Sequence, residues 1–128
     1  MEKVFTIIAV VIFTSACAST KTADISGKWM MYKVIQNSQD VTDEHNPHKE
    51  RYVILQKDNR FESGGRPYGS NTGDYVFDAE KSTLFLDSDV GPNDDSNWKI
   101  ELRGDTMVWQ GYGTEWAEGF KMIQVRAN

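Results

Sequence analysis

Side chains able to act as nucleophiles, bases or metal ligands are few in this sequence. It contains one cysteine, Cys17, and two histidines, His45 and His48. Neither histidine belongs to a segment with strand periodicity, and no serine stands in the Gly-x-Ser-x-Gly arrangement that exposes a nucleophile on a sharp turn. The many carboxylates fall in turns or at solvent-facing positions. We therefore expect no catalytic residue and no enzymatic activity.

Three polar segments have compositions that suit bound ions, but the spacing of their residues does not match an ion-binding motif. His45 and His48 with their acidic neighbours would suit Zn²⁺ or Cu²⁺, yet Pro47 separates them and no cysteine joins them. The acidic run 87–95 lacks the spacing of a calcium loop, and its glycine, proline and asparagine are typical of a turn. The glycine-rich run 64–69 lacks the Lys-Ser/Thr of a phosphate loop. We expect solvated loops at all three places, with no metal and no cofactor.

Cys17 has the clearest chemistry because of the segment that precedes it. Residues 4–13 form an apolar run that is too short for a permanent membrane helix and has the length of a signal-peptide core. The small residues before Cys17 resemble a lipobox, the recognition sequence of signal peptidase II, although Thr14 stands where an aliphatic residue is usual. We predict a lipoprotein signal peptide over 1–16 and acylation of Cys17, with palmitate among the attached fatty acids. The alternative is an ordinary secretory signal, which would leave a lone thiol in an oxidising compartment.

The remainder of the chain divides into a short tether, 17–23, and one domain, 24–128. The tether is small and polar, and a domain of this length holds one hydrophobic core. The formal net charge of −5 argues against nucleic acid as a partner and against electrostatic attachment to anionic lipid headgroups. We expect the lipid to anchor the protein in the cell envelope, and Ala18 favours the outer membrane because it is not an acidic retention signal. The sequence leaves any protein partner open.

Short segments of alternating apolar and polar residues recur along the domain and predict an all-β fold. Eight segments qualify: 28–35, 51–56, 60–63, 74–78, 83–87, 97–103, 106–111 and 119–126. Turn chemistry fixes their pairing, because Gly104-Asp105 suits a two-residue turn and a left-handed Asn59 suits a three-residue loop. The expected opposed pairs are Leu55 with Phe61, Phe77 with Leu84, and Leu102 with Met107.

One face of these strands is apolar, and we expect it to point inward. Its members are Trp29, Met31, Val53, Leu55, Phe61, Tyr75, Phe77, Leu84, Leu86, Trp98, Ile100, Leu102, Met107, Trp109, Phe120 and Met122. Eight consecutive hairpin-linked strands favour an antiparallel up-and-down β-barrel, because closure removes both exposed edges of the sheet. A two-sheet β-sandwich is the alternative.

The opening of the first strand, Gly27-Lys28-Trp29, resembles the Gly-x-Trp signature of lipocalins. The segments 53–61, 73–77, 84–86 and 102–109 resemble, in order, the hairpins of the short lipocalin-like domain of bacterial lipoproteins. The resemblance implies an eight-stranded barrel of lipocalin type. It also implies that Trp29 closes one end of the barrel, with Arg126 of the last strand stacked over it.

Two functions from different classes are open at this point, since small barrels either fill themselves or hold one small molecule. In the first, the interior binds a small hydrophobic or amphipathic ligand. The residues assigned to that interior site are Tyr75, Phe77, Leu84, Leu86, Trp98, Ile100, Leu102, Trp109, Phe120 and Met122. In the second, the barrel is filled and the protein is a structural or interaction protein of the envelope. Its contact surface would then be the outer aromatic residues Tyr32, Phe85, Tyr112 and Trp116.

The first prediction concerns the anchor. Radiolabelled palmitate should enter the wild-type chain and should not enter Cys17→Ala, because Cys17 is the only thiol available for acylation. Labelling is followed by electrophoresis of the immunoprecipitated chain. Equal labelling of the two chains would exclude the lipoprotein assignment.

Overall fold

The computed structural model describes residues 24–127, and within them the prediction of an all-β fold is confirmed. The predicted signal peptide, Cys17 and the tether lie outside the described residues. The elements are β1 (Gly27–Gln36), β2 (Gln39–Asp40), α1 (Thr42–His45), β3 (Tyr52–Leu55), β4 (Arg60–Gly64), β5 (Asn71–Asp78), β6 (Thr83–Ser88), a 3-10 turn (Pro92–Asp94), β7 (Ser96–Arg103), β8 (Thr106–Tyr112) and β9 (Phe120–Arg126). None of the described helices has the length and apolar character needed to cross a membrane.

The sheet closes on itself. Strands β3 to β9 pair in sequence order, β1 pairs with both β3 and β9, and every pairing is antiparallel. The result is the predicted eight-stranded up-and-down barrel, to which β2 adds a ninth, two-residue strand on the edge of β1. The β-sandwich alternative is thereby excluded.

The turns set the register that their residue types predict. Leu55 pairs with Phe61, Phe77 with Leu84, and Leu102 with Met107. Asn59 has a φ of 66° and Gly104 a φ of 59°. Both residue types tolerate this left-handed region, so the two tight turns form without strain and keep the apolar faces of the hairpins together.

A β-bulge in β1 changes which residues point inward. The pairing with β9 shifts between Met31 and Lys33, so that Tyr32 is the extra residue and is 68% exposed. Strict alternation after Met31 would bring Lys33 inside. The bulge instead turns Val34 inward, where it is 1% exposed, because an extra residue inverts the alternation beyond it. Val34 is therefore a core residue that the period-two pattern does not predict.

The end of the barrel that contains Trp29 is closed, and we call it the closed end. Trp29 is completely buried and its Nε1 donates to the Ile25 carbonyl at 2.9 Å. The Arg126 guanidinium lies 4.2 Å from the centroid of the indole and donates through Nη1 to the Ser26 carbonyl at 2.8 Å. Gly27 permits this approach, since its φ is +123° and a Cβ there would lie 2.9 Å from Arg126 Nη1.

The second prediction tests the closed end. Replacing Trp29 with alanine should lower the free energy of unfolding by about 3–5 kcal/mol, because it removes a fully buried indole and leaves a cavity. A cation over an indole adds only about 0.5–2 kcal/mol. The control is Tyr32→Ala on the outer face of the same strand, for which we expect a change within about 0.5 kcal/mol. Urea unfolding followed by circular dichroism measures both, and equal stabilities of the two variants would contradict this packing.

Candidate functional site

A cavity of about 470 Å³ lies inside the barrel and opens at the end opposite Trp29. Four connections meet at that end, which we call the mouth: 37–51, 65–70, 89–95 and 113–119. Each of them contributes to the lining, through His45, Tyr68, Asp94 and Trp116 among others. None of the turns at the closed end does, so within the described residues the cavity has a floor and one opening.

The wall of the cavity is largely apolar. Its apolar strand residues are Met31, Val34, Val53, Phe61, Leu86, Trp98, Trp109, Phe120 and Met122. They come from seven of the eight barrel strands, which is possible only because the closed sheet turns all their inward faces toward one space. Five of the residues assigned to the interior site by sequence lie in this wall: Leu86, Trp98, Trp109, Phe120 and Met122.

The other five residues assigned to that site do not line the cavity: Tyr75, Phe77, Leu84, Ile100 and Leu102. Tyr75, Leu84 and Ile100 belong to the buried core cluster that contains Trp29, and Phe77 and Leu102 pack against it. The Tyr75 hydroxyl donates to the Gln56 carbonyl in a closed-end turn. The bulk of these five residues fills the part of the barrel beyond the cavity, and the cavity lies nearer the mouth. The alternating pattern predicts that all ten point inward, and it carries no information about the level at which each one lies.

Three of the four tryptophans surround the cavity. The Trp98 ring lies 5.6 Å from Trp109 and 6.1 Å from Trp116, measured between centroids. Trp116, assigned by sequence to an outer contact surface, is 46% exposed and also reaches the mouth, where its ring packs on Trp98 and its Nε1 donates to the Asp95 carbonyl at 3.2 Å. Gly111 makes this possible, since any Cβ there would collide with the Ala117 carbonyl of the same connection.

A polar cluster forms one side of the mouth. The Arg51 guanidinium lies over the Tyr68 ring at 4.5 Å, and the Tyr68 hydroxyl is 3.0 Å from His45 Nδ1. The His45 and Phe120 rings are nearly perpendicular, with their centroids 5.4 Å apart. Burial lowers the pKa of the Arg51 guanidinium, and the nearby Tyr68 opposes this shift only in part. The loop around His45 is largely solvent-exposed as expected, but the His45 ring is only partly exposed and lines the cavity.

Asn46 fixes this cluster to the barrel. Its side chain is 3% exposed, donates through Nδ2 to the Met31 carbonyl at 2.9 Å and accepts from the Arg51 amide at 3.1 Å. It thus ties the end of α1 to both β1 and the start of β3. Nothing in the sequence singles out Asn46, because it stands within a run of polar residues and other segments supply its two partners.

The other sequence candidates for ion binding already have protein partners or face solvent. His48 is exposed, and no group of three potential metal ligands occurs within residues 24–127. In the acidic run, Asp94 accepts from Asn71 at 2.6 Å. Hydrogen bonds from Arg60 and Thr72 lower the pKa of Asp89 to about 2. These carboxylates act as turn and strand contacts at the rim of the barrel.

Two buried polar atoms of the lining residues have no hydrogen-bond partner among the described residues: Trp109 Nε1 and Gln124 Oε1. Trp109 and Gln124 lie on adjacent strands, offset by two residues in the register of β8 and β9. Unpaired polar atoms are costly in a protein interior and native structures rarely keep them. One donor and one acceptor therefore stand beside the cavity without a partner.

A scan against protein-family models and a search of curated proteins both give no match. Among solved structures, the chain is similar to a DUF4847 family protein from Bacteroides vulgatus ATCC 8482, with a TM-score of 0.58. Sequence identity is 11%, and the alignment covers 80% of this chain and 93% of the other. Similarity at this level shows the fold alone. It is consistent with the predicted lipocalin-like barrel and does not assign the chain to a family.

The third prediction tests the anchoring role of Asn46. Asn46→Ala should lower the free energy of unfolding by about 1–3 kcal/mol, because it leaves the Met31 carbonyl and the Arg51 amide without their partner. Asp43→Ala, in the exposed part of the same connection, is the control and should change stability by less than about 0.5 kcal/mol. The two are compared by urea unfolding. A change at Asp43 as large as that at Asn46 would argue against a specific anchor.

Proposed function

We propose that this protein is a membrane-anchored lipoprotein whose barrel binds one small hydrophobic or amphipathic ligand. The observation that carries the proposal is the cavity of about 470 Å³ at the mouth. Close-packed interiors contain few voids larger than a water molecule, whereas ligand pockets have volumes of roughly 300–1,000 Å³. A barrel with no ligand to hold has no physical reason to leave so much of its interior unfilled.

The chemistry of the wall indicates the ligand class. An apolar wall with a few polar groups at one side is the usual composition of a small-molecule site. Burying on the order of 400 Å² of apolar ligand and wall surface contributes about 10 kcal/mol before the costs of association. Micromolar affinity needs about 8 kcal/mol. A polar contact at the mouth would help to offset those costs.

The proposed lipid anchor would attach at the end of the barrel opposite the mouth. Acylation of Cys17 would hold the protein to a membrane of the cell envelope, favoured as the outer membrane, through the tether 17–23. The described chain begins at Asp24, whose carbonyl lies 3.4 Å from Arg126 Nη2 at the closed end. Lipid attached through this segment would join the barrel on its closed side. The mouth would stay free to exchange ligand or to meet a partner.

We propose binding rather than catalysis because the hydrogen bonds of the serines and the histidine in the cavity lining do not activate a nucleophile. Of the two serines in the lining, Ser96 accepts a hydrogen bond from Trp98 Nε1 at 2.7 Å. Among the described residues, no hydrogen bond joins either serine to a histidine, and His45 contacts Tyr68 instead. This arrangement gives no activated nucleophile.

The alternative function, an interaction protein with a filled barrel, has support in one half of the molecule. The closed-end side is packed by the cluster around Trp29. The unfilled half at the mouth favours the ligand-binding function, because a protein selected only for its outer surface gains stability from a filled interior. We therefore propose that the packed part of the barrel is a scaffold and that the cavity at the mouth binds the ligand.

The fourth prediction tests whether a ligand enters the cavity. A naphthalene dye that fluoresces in apolar surroundings should bind the full chain in lipid nanodiscs and change the emission of Trp98, Trp109 and Trp116. Leu86→Phe should weaken binding about tenfold or more, because the larger ring occupies part of the cavity. Val76→Phe is the matched control, since Val76 lies one strand away on the outer face and is 62% exposed.

The titration has two informative outcomes besides the expected one. Equal weakening by Leu86→Phe and Val76→Phe would mean that the dye binds elsewhere. No saturable binding at tens of micromolar, and no small molecule retained in native mass spectrometry of protein from its own host, would favour the filled-barrel alternative.

A further inference from the structure

Arg51 differs from every other arginine of the chain in its contacts. The other arginines, Arg60, Arg66, Arg103 and Arg126, each have a carboxylate oxygen within 4.0 Å of a guanidinium nitrogen. Arg51 has no such partner among residues 24–127. Its one side-chain hydrogen bond is a long one, from Nη1 to the His45 carbonyl at 3.4 Å. A guanidinium carries five N–H donors, so most of those of Arg51 are unused.

The position of Arg51 makes this lack of partners unusual. Its side chain is half-buried and lines the apolar cavity. A charge withdrawn from water is costly unless it is paired, and buried cations in proteins normally have a carboxylate partner. The lowered pKa of Arg51 has burial as its largest cause, which agrees with incomplete compensation by protein groups. The Tyr68 ring, 4.5 Å away, holds the guanidinium plane but supplies no negative charge.

The carboxylate next to Arg51 in sequence and the carboxylate in the cavity lining are both engaged elsewhere. Glu50, the neighbour of Arg51, receives two hydrogen bonds from Arg66, at 2.6 and 2.9 Å. Asp94 also lines the cavity, but it accepts from Asn71 and precedes β7. In the eight-stranded ring β7 is four strands from β3 in either direction, which places Asp94 across the barrel from Arg51. One side of the mouth therefore presents an uncompensated cation beside an apolar cavity.

From this arrangement we infer that Arg51 binds the acidic headgroup of an amphiphile whose hydrocarbon chain occupies the cavity. The inference rests on the proposed ligand-binding function and specifies its ligand class. A guanidinium fork matches the two oxygens of a carboxylate or phosphate, and charge-assisted bonds of this kind are the strongest in proteins. The Tyr68 stack holds the fork before the ligand arrives. The headgroup would supply the negative charge that the protein does not.

The test compares decyl amphiphiles that differ only in their headgroup. Decanoate, decyl phosphate, decanol and decyltrimethylammonium displace the naphthalene dye from the full chain in lipid nanodiscs. For each probe, the dissociation constant of Arg51→Gln is divided by that of the wild type, so that partition of the probe into lipid cancels. We expect a ratio of about ten to a hundred for the acidic probes and within about threefold of one for decanol.

Two further variants separate a specific contact from a general charge effect. Arg51→Lys keeps the charge but loses the planar fork, so its ratio for decanoate should be intermediate. Lys49→Gln removes one positive charge from the same connection, at an exposed residue that does not line the cavity, and its ratios should stay near one. Decanol binding by Arg51→Gln shows that the variant is folded and that its cavity is intact.

The outcomes distinguish this inference from the proposed function. If all four probes bind and Arg51→Gln changes none of their affinities, or if decyltrimethylammonium binds best, the inference is overturned while ligand binding stands. If no probe displaces the dye from the wild type, the proposed function fails as well. Among outcomes that support the inference, the larger ratio of decanoate or decyl phosphate identifies the natural headgroup as a carboxylate or a phosphate.

Discussion

The pairing of β1 with β9 is the interaction on which the rest of the structure depends. It joins Trp29 to Arg126 across the seam, while the other edge of β1 pairs with β3. Without it, β1 and β9 would each present an exposed edge able to pair with other chains. The same contact places a guanidinium over the buried indole and draws the start of the described chain over the closed end. The interior exists as an enclosed space because this seam is closed.

Inside that space, side-chain volume is distributed unevenly. Trp29, Leu84 and Ile100 pack in the core cluster, whereas a cavity of about 470 Å³ lies toward the mouth. A void costs stability because the side chains around it lose their packing contacts. The filled half therefore supplies rigidity to the walls of the open half. This division is why a barrel rich in large aromatic residues still has room for a ligand.

The mouth shows how a connection becomes part of a site. Bonds from Asn46 to β1 and to the start of β3 hold the connection that carries His45 and Arg51 against the barrel rim. Gly111 lets the neighbouring connection, 113–119, approach closely enough for Trp116 to pack on Trp98. Loops positioned by a rigid scaffold commonly carry binding residues. Here two such loops give the cavity a cationic side and an aromatic side.

The sequence by itself determined the eight barrel strands, their order and the register of three hairpins, because these depend on local alternation and on the backbone freedom of residues such as Asn59 and Gly104. Tertiary structure alone decided the level of each inward residue. Leu84 and Leu86 alternate identically in sequence, yet only Leu86 lines the cavity. Tertiary structure also decided that Val34 points inward, through the bulge in β1, and that Asn46 is buried. Period-two patterns specify a face of the sheet. They do not specify height within a barrel or contacts between loops distant in sequence, which arise only when the sheet closes.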